Sequence, residues 1–574
     1  AGAYRVTRAK LRWTPAPIVD AAAVASLAGE LGIAEPVARL LIHRGFGDAN
    51  AAKRFLRPRL DQLHDSPAMM SLDIAVERLV RAIRDGELIM IHGDYDVDGI
   101  CSTTLLVRAI RGFGGNVVPF IPNRMTDGYD LGAAGVKHAL EIGARVVVTC
   151  DCGTSALEPV ATLTAAGIDV IISDHHLSRG EMAQSLALLN PRRPDCDYPD
   201  KDLAAVGVAF KLALALARAL NVSDAFIWKM LDLVALATVA DVASLRGENR
   251  IFVRYGMKMI AETENVGLRA LLRASGMDGK PLTAGRIGFT LAPRLNAAGR
   301  LGHALRGVEL LLTDSMHEAN TIARELEELN QRRQSLDRTA LDEARAMAEP
   351  LVRDGAIGLV LARQGWHPGV VGIVASRIVE EFSRPAILIA MEGDTGKGSG
   401  RSVSGFDLHS ALGECADLLL RYGGHRAAAG VTIAASRVEQ FARRFDEVTK
   451  TRLSIDELFP ELRVDAELEL DDRALEIEPM LRHFEPFGVG NPSPVFAVRN
   501  VSIAGSPRVV GRDGLKLTLV GSTGTQIEAI GWGMAALAPA LRSASVVDAA
   551  FRFERDEYQG VSRLQARLAD IVGR

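Results

Sequence analysis

The chain has 574 residues, 48% of them apolar and 24% charged, with a formal net charge of −4. That length exceeds a single hydrophobic core and predicts several domains, and the near-balanced charge requires any nucleic-acid surface to be a local patch. Five cysteines, sparse and odd in number, exclude a disulfide framework; no window reaches a membrane span, and "AGAYRVTRAKLRW" lacks a signal peptide's apolar centre, so a reducing cytoplasm is expected.

Between residues 20 and 85, "VASLAGELGI", "PVARLLIHRG", "AAKRFL" and "DIAVERLVRAIRDG" carry apolar residues three and four apart, so residues 1–85 read as an N-terminal helical segment. From Glu87 the pattern changes. "ELIMIHGD", "NVVPFIPN", "RVVVTCD" and "DVIISD" are short buried-strand runs, separated by helical stretches such as "GICSTTLLVRAIRGFG" and "GAAGVKHALEIG". That alternation predicts a parallel sheet with crossover helices, in a domain spanning 86–313 whose residues 200–275 return to helix. Neither Gly nor Pro occurs from Asp314 to Glu349, and Met316, Ala319, Ile322, Leu326, Leu329 and Leu336 recur at helical spacing. One connecting helix over 314–349 is expected, about 50 Å long at 1.5 Å per residue. "AIGLVLARQG", "AILIAME" and "GVTIAA" mark a second α/β unit over 350–455, and short alternating strands with Gly-rich turns beyond Pro460 predict a small β-barrel over 456–574.

In an open parallel sheet, ligands collect beyond the carboxyl ends of the strands. There the sequence places Asp94, Asp96 and Asp98 in "HGDYDVDGI", Asp151 in "TCDCG", and Asp174, His175 and His176 in "SDHH"; Asp241, in "ATVADVASL", ends a helical apolar run. Each acid alone also fits a helix N-cap. The set does not: two like charges about 4 Å apart cost roughly 4 kcal/mol at an effective dielectric of 20, so convergent carboxylates require cations. Oxygen and imidazole ligands together suit Mn²⁺ or Mg²⁺. Cys150 and Cys152 flank Asp151 and are read as core residues.

"GDYDVDG" followed by "DCG", "DHH" and "VAD" resembles the DHH phosphoesterases. With "LNPRRPDCDYPDKDLAAVGVAFKLALAL", "PRLNAAGR", "GWHPGVVGIVASR", "GSGRS" and "GGHRAAAG", the resemblance extends from about Arg12 to the C-terminus, toward the single-stranded-DNA-specific 5′→3′ exonucleases of that family. It implies an α/β multidomain architecture: a DHH domain with a parallel sheet, a long connecting helix, a DHHA1-type α/β domain and a C-terminal OB-like β-barrel. It also implies metal-dependent hydrolysis of single-stranded DNA from the 5′ end to 5′-mononucleotides, in DNA repair and recombination, with two divalent cations, Mn²⁺ preferred or Mg²⁺.

On the same resemblance Asp96, Asp98, Asp151, His175 and Asp241 are metal ligands, Asp151 and Asp241 bridging the two ions. His92 joins them because it falls at a ligand position of related pyrophosphatases. Asp94 makes a weaker or outer contact at the catalytic centre, and His176 is a proton donor or transition-state contact. A pocket for the terminal 5′-phosphate draws on Arg124, Arg294, Ser399 and Arg401, the last two in a loop, "GKGSGRS". Gly424 and His425 in "GGHRAAAG" lie where a backbone can approach a phosphate, although Gly-Gly is also an ordinary turn. Gln364, Trp366 and His367 are candidate strand contacts, a lone aromatic being equally compatible with packing. In the barrel, Tyr558 and Arg563 are candidate surface contacts while most aromatics fill the core.

The implied partners are single-stranded DNA with a 5′-phosphate, a single-strand-binding protein and a helicase, in a bacterial, nucleoid-associated, cytoplasmic setting without a membrane. Asp130 in "DGYDLG" and Ala237 in "ALATVAD" stand where the resemblance expects Gly. The alternatives are a DHH phosphodiesterase acting on short oligonucleotides or cyclic dinucleotides, and a non-catalytic relative, which the intact ligand set disfavours.

Overall fold

The computed structural model describes residues 11–124, 126–178, 180–454, 458, 460–558 and 561–574; the side chains of 557, 558 and 561, and with them the expectation for Tyr558, lie outside the described set. The chain forms two compact units, Leu63–Leu458 and a second that joins Ala1–Gln62 to Phe459–Arg574.

The first unit contains a five-stranded, all-parallel sheet in the order Asn116–Phe120, Leu88–Gly93, Val146–Cys150, Asp169–Ser173, Ala187–Leu189. The chain winds outward from Leu88–Gly93 first to one side and then to the other. A crevice opens at that reversal, between the ends of Leu88–Gly93 and Val146–Cys150. Pairing of Gly93 with Cys150 and of Cys150 with Ser173 puts Asp94, Asp151 and Asp174 one step beyond a common rim. Their backbone N–H groups continue the ladder to the carbonyls of Cys150, Ser173 and Leu189 at 3.1, 2.9 and 3.0 Å. The four strands expected from the sequence are all present. The fifth, three residues long, is too short to leave a periodic signal.

The long helix runs Met316–Arg353, about 57 Å for its 38 residues. Ser315 caps it by accepting from the Glu318 N–H. It continues past Pro350, where the sequence pattern stops, because a proline in the last turn forfeits only one backbone bond. Ala319, Ile322, Ala323 and Leu326 bury its first half; Ala340, Ala344 and Ala348 bury its second half against Val371, Val374 and Ile378 of the helix Pro368–Phe382.

The second sheet of this unit has the order Arg421–Gly424, Ala428–Ala434, Thr395–Arg401, Ala386–Glu392, Leu359–Gln364, parallel only between the last two. "GKGSGRS", expected as a loop, is therefore a central strand. Its alternate glycines explain both the misreading and the packing. A Cβ at Gly398 would stand 2.7 Å from the Val431 side chain and 2.9 Å from Ile389, and one at Gly400 would stand 2.9 Å from Leu408. One face is thus flattened under apolar neighbours, and the other carries Ser399 and Arg401.

In the second unit Phe496–Val510, Gly514–Val520, Gln526–Gly531, Val561–Gly573 and Val547–Tyr558 pair in that order, and the last pairs back with the first, closing a five-stranded OB-like barrel. Phe484, Phe496 and Phe551 fill it. The sequence does not reveal that the helices Ala21–Leu31, Glu35–His43 and Ala49–Leu56 share this core, or that Arg12–Pro15 pairs in parallel with Glu461–Val464. Among the described residues no single helix is long and apolar enough to cross a membrane.

Candidate metal centre and phosphate pocket

At the rim of the first sheet, ligand atoms converge in three overlapping groups, each within 4.8 Å: Asp94, Asp96 and Asp151; Asp98, His175 and Asp241; Asp151, His175 and His176. Local structure explains how each arrives. Asp96 is the N-cap of the helix Val97–Gly112, accepting from the N–H groups of Asp98 and Gly99 at 2.9 and 3.2 Å. Asp98, one helical residue later, is fully buried and accepts from Ala205 and Val206 at the start of the helix Ala205–Leu220. Asp151 sits in a left-handed turn at φ 65°, a conformation that aims its carboxylate back over the strand ends. Asp241 ends the helix Leu231–Ala240.

The arrangement is electrostatically unfavourable without cations. Burial and the neighbouring charge of Asp96 raise Asp98 to about 7; burial with Asp98 and Asp96 raises Asp241 to about 8. Burial and four surrounding carboxylates push Asp151 well above the usual carboxylate range. Among the described residues Asp94 Oδ1, Asp151 Oδ1 and His175 Nε2 are buried with no hydrogen-bond partner, and His175 Nε2 lies 3.2 Å from Asp151 Oδ1 and 3.8 Å from Asp241 Oδ2. Native interiors seldom leave such atoms unpaired. A carboxylate-rich set with one imidazole, converging on unfilled lone pairs, fits divalent Mn²⁺ or Mg²⁺.

The other two residues of "DHH" do different work. Asp174 accepts from Thr154 N and Oγ1 and from the His175 and His176 N–H groups, and, although burial opposes it, the His176 imidazole and Thr154 hold its carboxyl below the usual carboxylate range. It also bonds His176 Nδ1 at 2.8 Å. Burial opposes charge on His176, but that bond outweighs it and raises His176 to about 9. The imidazole is 44% exposed on the open side of the site, with Tyr129 Oη 3.4 Å away.

His92 is not brought into these groups. Strand alternation turns it toward the helix Ala133–Glu141, where a Cβ on Gly135 would stand 2.7 Å from its ring, with Cys152 Sγ 3.6 Å from Nδ1 and Phe120 and His138 nearby. Its surroundings are apolar, and burial lowers it to about 4. Cys150 and Cys152 are buried. Ala237 is fully buried in its helix.

Beside the carboxylates lies a cationic group. The Arg124 guanidinium rests on the Tyr95 ring, 4.8 Å from its centroid, and Tyr95 stands between Asp94 and Asp96. Arg401 donates to Ser399 Oγ at 2.9 Å, and both face the helix Pro368–Phe382 so closely that a Cβ on Gly372 would stand 3.0 Å from Ser399 Oγ. Arg300, not anticipated from the sequence although it ends "PRLNAAGR", donates to Gly369 O at 3.0 Å. Desolvation and the fields of Arg124, Arg333 and Arg401 lower it to about 10. Among the described residues none of Arg124, Arg300 and Arg401 has an ion-pair partner, so their positive charges lie together uncompensated.

Arg294 is instead held by Glu327 of the long helix and by Thr290 O. Trp366 is buried and donates its indole N–H to Glu343 Oε2 at 2.7 Å, a packing role. His367 caps the helix Pro368–Phe382 by accepting from Gly369 N. Gln364 is exposed. Gly424 is explained by its own hairpin, since a Cβ there would stand 2.4 Å from Ala428 O; His425 donates its backbone N–H to that carbonyl at 2.7 Å. Arg563 is exposed on the barrel.

The DHH family, N-terminal domain, matches residues 88–238, the DHHA1 domain residues 355–451, and the RecJ OB domain residues 464–570. The single-stranded-DNA-specific exonuclease RecJ of Bacillus subtilis is 34% identical over 98% of this chain and 71% of its own length. That of Salmonella typhimurium is 37% identical over 93% of this chain and 95% of its own. RecJ of Thermus thermophilus in complex with Mn²⁺ superposes with a TM-score of 0.84 at 32% identity, covering 98% of this chain and 80% of that one; the Mg²⁺ complex gives 0.78 at 31% identity with 98% and 78% covered.

Proposed function

The chain belongs to the RecJ family of single-stranded-DNA-specific exonucleases, and from that premise we propose that it degrades its strand from the 5′ end, releasing 5′-mononucleotides. The observation that carries the direction is the free arginine group abutting the acidic rim through Tyr95. A terminal phosphate bears more charge than an internal diester and has more oxygens to offer, so forked donors at that place favour an end over the middle of a strand.

Asp94, Asp96, Asp98, Asp151, His175 and Asp241 are the residues to hold the cations, which when bound supply Lewis-acid charge at the attacked phosphoryl group and a more acidic water. The chain's own groups do the rest. Arg124, Arg300, Ser399 and Arg401 fix the terminal phosphate, so that the next diester falls over the carboxylates. Asp174 bonds Nδ1 of His176 and holds the imidazole protonated beside the rim, where it gives a proton to the departing 3′-oxygen. The OB-like barrel, on which Arg563 is exposed, supports a grip on the trailing strand. Work alongside a single-strand-binding protein and a helicase, at the nucleoid in the cytoplasm, fits a degrader of unpaired ends in repair and recombination. The alternative of a short-oligonucleotide or cyclic-dinucleotide phosphodiesterase is not favoured by the relatives.

The test is digestion of single strands labelled at either end. With Mn²⁺, 5′ label should appear at once as mononucleotide and 3′ label last; chelator and Asp151→Ala should each abolish release. Early loss of 3′ label would overturn the assigned direction.

A further inference from the structure

We propose that Asp130 is a positioning residue that fixes the turn carrying Asp151. Asp130 occupies a site of positive φ, 76°, where a glycine is the easier choice and where the family resemblance expects one. Its carboxylate gives the aspartate a reason to be there. One oxygen, Oδ1, accepts from the N–H of Gly153 at 2.7 Å and from that of Leu131 at 2.8 Å.

The turn it grips is the one on which the carboxylate rim depends. Asp151 at φ 65° and Gly153 at φ 109° both take left-handed backbone within three residues. Bonds from the strands also hold it: Asp151 N–H donates to Ser173 O at 2.9 Å, and Thr149 Oγ1 donates to Cys152 O at 2.7 Å. Both act from the sheet beneath. Asp130 acts from outside the sheet, on the loop that also bears Tyr129, 3.4 Å from His176. Its bond therefore ties that loop to the metal-binding turn. A glycine at 130 supplies the same backbone and no acceptor.

The inference rests on Asp151 being a metal ligand, and the experiment separates the two. Full-length parent, Asp130→Gly, Asp130→Asn and Asp151→Ala are titrated with MnCl₂ by calorimetry, and their metal-free melting is recorded in chelator. Asp130→Gly should bind Mn²⁺ about 10- to 100-fold more weakly, the range for loss of a group that orients a ligand. Its metal-free melting should match the parent's because glycine suits the backbone, and Asp130→Asn, which keeps an acceptor oxygen, should bind as the parent does. Parent-like binding by Asp130→Gly, or equal loss in Asp130→Asn, overturns the proposal, and so does a metal-free Asp130→Gly that melts well below the parent. Parent-like binding by Asp151→Ala sinks the metal reading as well.

Discussion

Single side chains at the rim trade stability for chemistry. Asp98 and Asp241 are raised to about 7 and 8, above their unfolded values, so the metal-free fold holds its protons more tightly than the unfolded chain. The stabilisation this gives is complete below about pH 4 and is lost as pH rises through those values. Metal-free protein should therefore lose stability progressively from about pH 4 to about pH 8, and saturating Mn²⁺ should flatten the slope; denaturant titrations with and without metal will show it, and an unchanged slope would contradict the shared site. If Arg300 and Arg401 hold the terminal phosphate as proposed, Arg300→Ala or Arg401→Ala should remove a charged hydrogen bond of about 1.5–3 kcal/mol, raising KM about 10- to 100-fold for 5′-phosphorylated strands. The same substitutions should leave 5′-hydroxyl strands little changed. Arg294→Ala should instead lower the melting temperature and keep the discrimination, because its partner is Glu327.

Pairs of elements are locked by buried polar groups. Lys211 on the helix Ala205–Leu220 and Glu248 on the helix Gly247–Ala261 are both nearly inaccessible and 2.6 Å apart. Tyr198 Oη and the His64 N–H satisfy the remaining lone pairs of Glu248. Because Asp98 takes the first N–H groups of the same Ala205–Leu220 helix, this lock also steadies the Asp98 carboxylate at the rim. Lys211→Met leaves a buried carboxylate unpaired and should cost about 3–5 kcal/mol, read as a fall in the denaturation midpoint. Adding Glu248→Gln should recover part of that loss; two losses that simply add would mean that the residues are not coupled.

Across the whole molecule, the N-terminal helices belong to the barrel's core: Val37, Leu41 and Phe55 share one apolar cluster with Phe484, Phe496 and Phe551. Removing residues 1–62 should expose that cluster and lower the unfolding transition of the barrel unit. The transition of Leu63–Leu458, followed by its Mn²⁺-induced stabilisation, should stay in place. Loss of both together would show that the two units do not fold separately.

The sequence by itself determined the strand-to-helix alternation, the long helix, and the acids and histidines that end the strands, since these depend on local periodicity and on residues adjacent in the chain. It also made Asp130 legible as a departure. Tertiary structure alone decided which charged groups meet. Arg294 and Arg300 are six residues apart on adjoining helical turns, and only packing against the long helix pairs the first with Glu327 and leaves the second with a backbone carbonyl instead. His92 fits a ligand spacing, yet strand alternation buries it under the neighbouring helix. "GKGSGRS" reads as a loop because glycine carries no β signal; its neighbours' side chains, distant in sequence, make it a strand. The same holds for the first 62 residues, whose apolar faces are plain in the sequence but whose partner lies some 400 residues away.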